Sequence, residues 1–312
     1  MCTAISSGSF VGRNLDIDKN YGGEVIITPR NYEIFFKNES SIKSHYAMIG
    51  IGAKIKEYPL YFDAANEKGL YIASLNYVEN AKYLSPMPNK VNLAPYELIP
   101  YFLAKCATVA EARVELDKIN LIDIPFSQDL PPAELHYFIA DKYSSSTVEP
   151  DATGISVYDN PIGVLTNNPP FPYQLLNLST YQGLSSTPVE NRFSDGLLLQ
   201  RYSHGMGALG LPGDLSSASR FVRVAFHKSN SKDDDGIKKI IRLLSTVAMP
   251  RGSVKTDKGY EYTEYTAAVD LKNSVYAYRT YDSMNHYAVK LSEENIDGNA
   301  LITHELKKGA VI

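Results

Sequence analysis

The chain has 312 residues, 44% of them apolar and 21% charged, and a net charge of −4 with both signs interspersed. That balance leaves no electrostatic case for a nucleic-acid partner or an anionic membrane surface. No stretch approaches the ~20 consecutive apolar residues that span a bilayer, and the two cysteines, Cys2 and Cys106, make neither a disulfide framework nor a metal cluster.

The first residues carry neither a basic nor an apolar signal region, so the chain reads as cytoplasmic. No linker or composition shift divides it, and residues 2–312 read as one domain. In chain order, "CTAI" is strand-like from its first residue, which tucks the N-terminus into a sheet. "EVIITPR" and "YEIFFKN", rich in β-branched and aromatic residues, predict two strands, and "YAMIGIGAK" follows. "LYFDAANEKGLYIASLNY" predicts two more, joined by an Asn-Glu-Lys-Gly turn.

From Ala94 to Asn120 the pattern is helical, and Thr108 with Glu111 is spaced as a capping box that divides it into two helices. Cys106, at the end of the first, reads as a buried structural thiol. "AELHYFIAD" and "GISVYDN" predict strands, "YQLLNLSTY" a short helix, and "SSASRFVRVAFHK" a helix with a serine N-cap. "SKDDDG" reads as a solvated loop ending in a helix start. Over residues 236–249, Ile237, Ile240, Ile241, Leu244, Val247 and Ala248 share one helical face. "YTAAVDL" and "VYAYRTYD", linked by Lys-Asn-Ser, predict a closing hairpin. Strands first, helices in the middle and strands last predict an α+β protein of antiparallel sheets with helices layered outside.

Six histidines, His45, His136, His204, His227, His286 and His304, show no metal-ligand spacing. A Cys–His hydrolase stays open, because such partners need meet only in space. Cys2 stands apart. Loss of Met1 would give it a thiol and a free α-amine, whose reference pKa values, about 8.5 and about 7.7–8.0, are close enough for one to serve the other as base. In "VGRNLDID" two charges, Arg13 and Asp16, interrupt a strand. A regular strand puts them on opposite faces, so both reach Cys2 only if the chain bends near Asp16. Arg220 falls in the first turn of a predicted helix, where the macrodipole disfavours a cation, which points to a specific anion.

"MCTAI", "GRNLD", "NEKGL…LNY", "GVLTNNP" and "GLPGDLSSASRF", in this order and over essentially the whole chain, resemble the choloylglycine hydrolases. These are N-terminal-nucleophile amidases that include bile salt hydrolases and penicillin V acylases. The resemblance implies a four-layer αββα sandwich of two antiparallel sheets and no metal or organic cofactor. It implies Cys2 as nucleophile, Arg13 beside the thiol, Asp16 on the α-amine, and Arg220 stabilising the charged site. It further implies an oxyanion hole from the Asn76 backbone N–H and the Asn167 side-chain amide.

Asn76 is similar to the bile salt branch, where penicillin V acylases have tyrosine, so the implied substrates are bile acids conjugated to glycine or taurine. By alignment, Leu15, Ile55, Phe62, Phe126, Leu130 and Leu135 are the candidate apolar lining of the acyl pocket. Penicillin V acylase is the near alternative. The distant one is an inactive binding paralogue that keeps Met1. Finally, "NRFSDGLLLQRYSHGMGALGLPGD" carries Phe193, Leu197, Leu198, Leu199 and Tyr202 with no sign of an intramolecular face to bury them, which marks an interface. The family's corresponding loop implies a homotetramer.

Overall fold

The computed structural model describes residues 1–232, 234 and 236–309. β1 (Cys2–Ser7) and β2 (Phe10–Ile17) form a hairpin, followed by β3 (Glu24–Thr28), β4 (Met48–Ile55), β5 (Tyr58–Asn66) and β6 (Tyr71–Asn76). β7 (Val91–Leu93) leads to α1 (Leu98–Lys105) and α2 (Val109–Leu116), and β8 (Ile119–Leu121) returns beside β7. Then come β9 (Leu135–Ala140), β10 (Ser145–Asp151), β11 (Gly154–Asp159) and β12 (Val164–Leu165). α3 (Phe171–Ser179), α4 (Ser217–Asn230) and α5 (Ile237–Ser245) precede β13 (Val254–Lys255), β14 (Tyr260–Asp270), β15 (Val275–Thr280), β16 (Tyr287–Lys290) and β17 (Ile302–Glu305).

Two antiparallel sheets dominate. One runs β12-β1-β2-β14-β15-β16, with β13 on β14, and the other β11-β10-β9-β6-β5-β4-β3-β17. Their strands are apolar on both faces. Val25, Ile27, Ile49, Ile51, Tyr71 and Ala73 enter the core between the sheets, while Ile26, Met48 and Ile72 point outward to α1 and α2. α4 and α5 cover the outer face of the first sheet, so the order of layers is helix, sheet, sheet, helix. At Gly12, where β2 crosses β14 under α5, a Cβ would lie 2.2 Å from Ala267 O and 2.5 Å from Ile240 Cγ2, so only glycine fits. The turn between β5 and β6 needs Gly69 at φ +93°.

Several expectations are corrected. "YEIFFKN" is no strand: it holds one isolated bridge, Ile34 to Ile42, and leaves Phe35 61% exposed. The helical pattern from Ala94 to Asn120 ends at Leu116, and residues 119–121 form a parallel pair with β7. Thr108 does cap α2, accepting from Glu111 N–H at 3.2 Å, but the Glu111 carboxylate turns to Ala107 N–H rather than to Thr108. Ser216 stands at the N-cap of α4 without a capping bond. Asp214 does that work, accepting from Ser216 N–H and Ser219 Oγ. α5 stops at Ser245, although Val247 is still buried. β7, β10, β12, β13, β16 and β17 are strands that the sequence pattern does not predict. Asp233 and Asp235 of "SKDDDG" lie outside the described residues.

Candidate active site

Cys2 opens β1, 2% exposed, in register with Leu15 of β2. Its side chain points between the sheets, where Arg13 Nη2 donates to Sγ at 2.8 Å. Arg13 itself is fully buried and crosses to the second sheet, giving Nη1 to Phe62 O at 2.7 Å and Ser74 O at 2.8 Å. The β5–β6 ladder has just ended at Asp63↔Ala73, and Phe62 is the extra residue of a bulge against β4. The guanidinium thus takes the place of the next rung. Burial works against its charge, but Cys2, Tyr265 and Asp63 hold the Arg13 pKa above its ordinary value.

Asp16 lies on the opposite face of β2, as a regular strand requires, and no bend brings it round to Arg13. Cys2 is instead met from both faces, by Arg13 on one and Arg220 on the other. Its thiol meets the inner face, and its backbone is held from the outer face. Arg220, fully buried in the first turn of α4, gives Nη1 to Cys2 O and Thr3 Oγ1, both at 2.6 Å, and Nε to Leu215 O at 3.0 Å. Asp16 is its anion: Oδ2 is 3.7 Å from Nη1, while Oδ1 accepts from Thr263 Oγ1 at 2.6 Å. Burial pushes the Asp16 carboxyl up and the Arg220 guanidinium down, each opposed by the other's charge. Asp16 Oδ2 is buried and has no hydrogen-bond partner.

Met1 is woven into this edge. Its ammonium donates to Asp16 O at 2.6 Å and Glu261 Oε1 at 2.7 Å, and its carbonyl accepts from Asp16 N–H at 2.9 Å. The Cys2 nitrogen is therefore an amide, and it donates to Asn167 Oδ1 at 2.7 Å. Arg220 Nη2 donates to the same oxygen at 2.8 Å. Two donors fix the amide's orientation, so Nδ2 is the end that gives one hydrogen to Asn76 O at 2.7 Å and has a second to offer. Asn76 ends β6 opposite Leu135. The neighbouring rung is Tyr77 N–H to Glu134 O at 2.8 Å, so the Asn76 N–H faces the other edge of β6, which β5 no longer covers.

Of the candidate pocket residues, Leu15 and Phe62 line one cleft of about 310 Å³ with Tyr21, Tyr262 and Tyr265. Leu135 lies opposite Asn76. Ile55 pairs with Tyr58, whose ring meets that of Phe126 at 5.6 Å, and Leu130 is tied to Phe126 N–H. That second group does not line the cleft of Leu15 and Phe62. His136 is buried with Nδ1 near Glu149 and Nε2 on Thr166 O, so both its nitrogens are engaged away from Cys2. Reading the sequence missed Thr3, Thr263, Glu261, Asp63 and Ser217, whose hydroxyl holds the Asn167 N–H at 2.8 Å. Only Asp63 left a signal, as an acid inside the strand "LYFDAAN".

A two-sheet sandwich with a cysteine at the start of its first strand, an arginine on the thiol and facing amide donors is the architecture of the N-terminal-nucleophile hydrolases. The model of the linear amide C–N hydrolases, choloylglycine hydrolase family, matches residues 2–304. The chain is 45% identical to a bile salt hydrolase/transferase of Lactiplantibacillus plantarum, over 99% of this chain and 98% of that one. It is 35% identical to one of Clostridium perfringens, over 99% and 98%. A solved structure of the conjugated bile acid hydrolase from Clostridium perfringens superposes with a TM-score of 0.93 at 34% identity, over 100% and 99% of the two chains. Penicillin V acylase from Agrobacterium tumefaciens shares the fold, with a TM-score of 0.79 at 20% identity over 99% and 92%. The chain belongs to the choloylglycine hydrolase family.

Proposed function

We propose that this protein is a bile salt hydrolase which, once Met1 is removed, uses Cys2 to cleave the amide joining a bile acid to glycine or taurine. One observation carries the reading. Arg13 sits 2.8 Å from the thiol, and a buried oxygen of Asp16, on the strand paired with β1, has no hydrogen-bond partner. A freed α-amine supplies the missing donor and, at the same stroke, the base. The bile salt and conjugated bile acid hydrolases among the relatives support the substrate, as does Asn76 in the place where the acylases have tyrosine.

The α-amine takes the thiol proton, and Asp16 with Asn167 Oδ1 holds the resulting ammonium. The thiolate adds to the amide carbonyl, and the oxyanion accepts from Asn76 N–H and the second hydrogen of Asn167 Nδ2. Collapse breaks the C–N bond, the α-ammonium protonates the departing nitrogen, and a thioester remains. Water then gives a proton to the α-amine, adds to the thioester, and releases the bile acid as the thiol regains its proton. Leu15, Phe62 and Leu135 contact the steroid nearest the reacting carbonyl, and Ile55, Phe126 and Leu130 form its outer wall. Residues 2–312 act as one catalytic domain, in the cytoplasm and as a homotetramer. Transfer of the thioester to another amine, an activity named for the relatives, would use the same steps with an amine in place of water.

The test is direct. The purified protein should lack one methionine by intact mass and release glycine from glycocholate and taurine from taurocholate faster than it releases phenoxyacetic acid from penicillin V. An active enzyme that keeps Met1 would sink the mechanism, and turnover of penicillin V alone would move the substrate to the acylase reading.

A further inference from the structure

No step above uses Asp63, a fully buried acid on β5 in the core between the sheets. Three phenols from three other strands converge on it. Tyr265 of β14 donates to Oδ1 at 2.6 Å, and Tyr276 of β15 and Tyr71 of β6 donate to Oδ2 at 2.7 Å and 3.1 Å. Burial, reinforced by the Asp63 charge, pushes all three phenols well above their ordinary range, so they keep their protons. Three O–H donors favour the ionised form of the carboxyl. Burial holds the Asp63 carboxyl above its ordinary range, against the downward pull of Arg13 and the three phenols.

The cation its charge acts on is Arg13. That guanidinium is fully buried, donates to two carbonyls and Sγ, and makes no direct ion pair with a carboxylate among the described residues. A buried charge without a counter-charge is strongly disfavoured. Asp63 follows Phe62 in the chain, and the Phe62 carbonyl seats Arg13, so acid and guanidinium are tied to the same bulge.

We propose that Asp63 is the counter-charge and positioning residue of Arg13: through Tyr71, Tyr265 and Tyr276 it keeps the guanidinium aimed at Cys2 Sγ, and its negative charge limits how far Arg13 favours the thiolate. The groups involved are Cys2 from β1, Arg13 from β2, Asp63 from β5, and the three phenols from β6, β14 and β15. The inference rests on Cys2 being the nucleophile and adds a residue that sets when its thiol is ionised.

Asp63→Asn tests it. The amide oxygen can keep two phenols, and its NH2 can donate to the third, so a single phenol hydrogen must turn. The readout is the pH dependence of Cys2 alkylation by iodoacetamide, followed by peptide mass, beside the pH profile of kcat/KM. With the acid's charge gone, the acid limb of both should move to lower pH by about 0.5–1 unit, within the range a nearby charge produces. The kcat/KM plateau should fall about 1.6- to 3-fold, because a thiolate formed at lower pH is a weaker nucleophile. An unmoved limb in folded Asp63→Asn overturns the proposal. So does a limb moved to higher pH, which would mean Arg13 had only lost its seat. If Asp63→Asn does not fold, Tyr276→Phe carries the test: one donor fewer pushes the Asp63 carboxyl further up toward its neutral form, so the limb should move to lower pH as in Asp63→Asn, and no movement overturns the idea. Alkylation needs no bile salt, so a wild-type enzyme that released no glycine or taurine would refute the substrate without touching this result.

Discussion

Cys2 and Cys106 carry the same thiol into opposite surroundings. Burial, with Glu115 and Glu111 nearby, pushes the Cys106 thiol up to about 12, so it stays protonated at neutral pH, whereas Cys2 has a guanidinium on its sulfur. Cys2→Ser and Cys2→Ala should both abolish amide hydrolysis and leave the melting profile unchanged. Cys106→Ala should keep most of the activity and lose about 1 kcal/mol of stability, the centre of the usual range for single substitutions. Side-by-side assays and thermal melts decide, and an inactive but folded Cys106→Ala would reverse the assignment. At this scale the sequence was informative wherever a residue broke its local pattern. Arg13 and Asp16 stood out as charges in an apolar strand, and Arg220 as a cation at the wrong end of a helix. Which atom each would meet was not legible. β2 runs without a bend, with Arg13 on the Cys2 thiol at its inner face and Arg220 on the Cys2 carbonyl at its outer face.

Between elements, α1 and α2 are clamped together by a second polar cluster. Glu115 of α2 accepts from Lys105 Nζ at 2.7 Å and Tyr101 OH at 2.8 Å, both on α1, and from Lys118 Nζ at 2.7 Å. Burial works to raise its carboxyl, but these donors win and hold it at about 2. A carboxyl depressed in the folded state stabilises fully above its unfolded pKa and loses that contribution as pH falls through the folded one. The window is therefore about 4.5 down to about 2. Glu115→Gln should cost about 1 kcal/mol at neutral pH, since both lysines are largely exposed. Denaturant melts across that window should show the gap to wild type closing, and a gap that stayed constant would refute the clamp. The capping pair Thr108 and Glu111 announced α2 in the sequence, but periodicity ran the helix on to Asn120. Residues 119–121 are strand because β7 offers them a partner, and a local pattern cannot see that partner. "YEIFFKN" failed for the converse reason: its composition favours a strand, and no neighbouring edge takes it up.

The whole molecule leaves one surface unexplained within a single chain. Phe193, Leu198 and Tyr202 are 79%, 92% and 80% exposed, and Leu197 and Leu199 about half so, which is much apolar area for one loop to leave in water. Light scattering at micromolar concentration should give four times the 34.6 kDa chain, and a monomer mass would reject assembly through this loop. The sequence by itself determined the broad run of strands, then helices, then strands, the apolar pattern of the strands it found, and the cysteine at position 2. Those are properties of residues close together in the chain, where periodicity and composition act. Only the tertiary structure decided that Arg13 crosses the sandwich to Phe62 and Ser74, 49 and 61 residues away, and that Asp63 gathers phenols 202 and 213 residues away. Such contacts are set by which sheet face packs on which, and that choice is made by the burial of the whole core rather than by any local stretch.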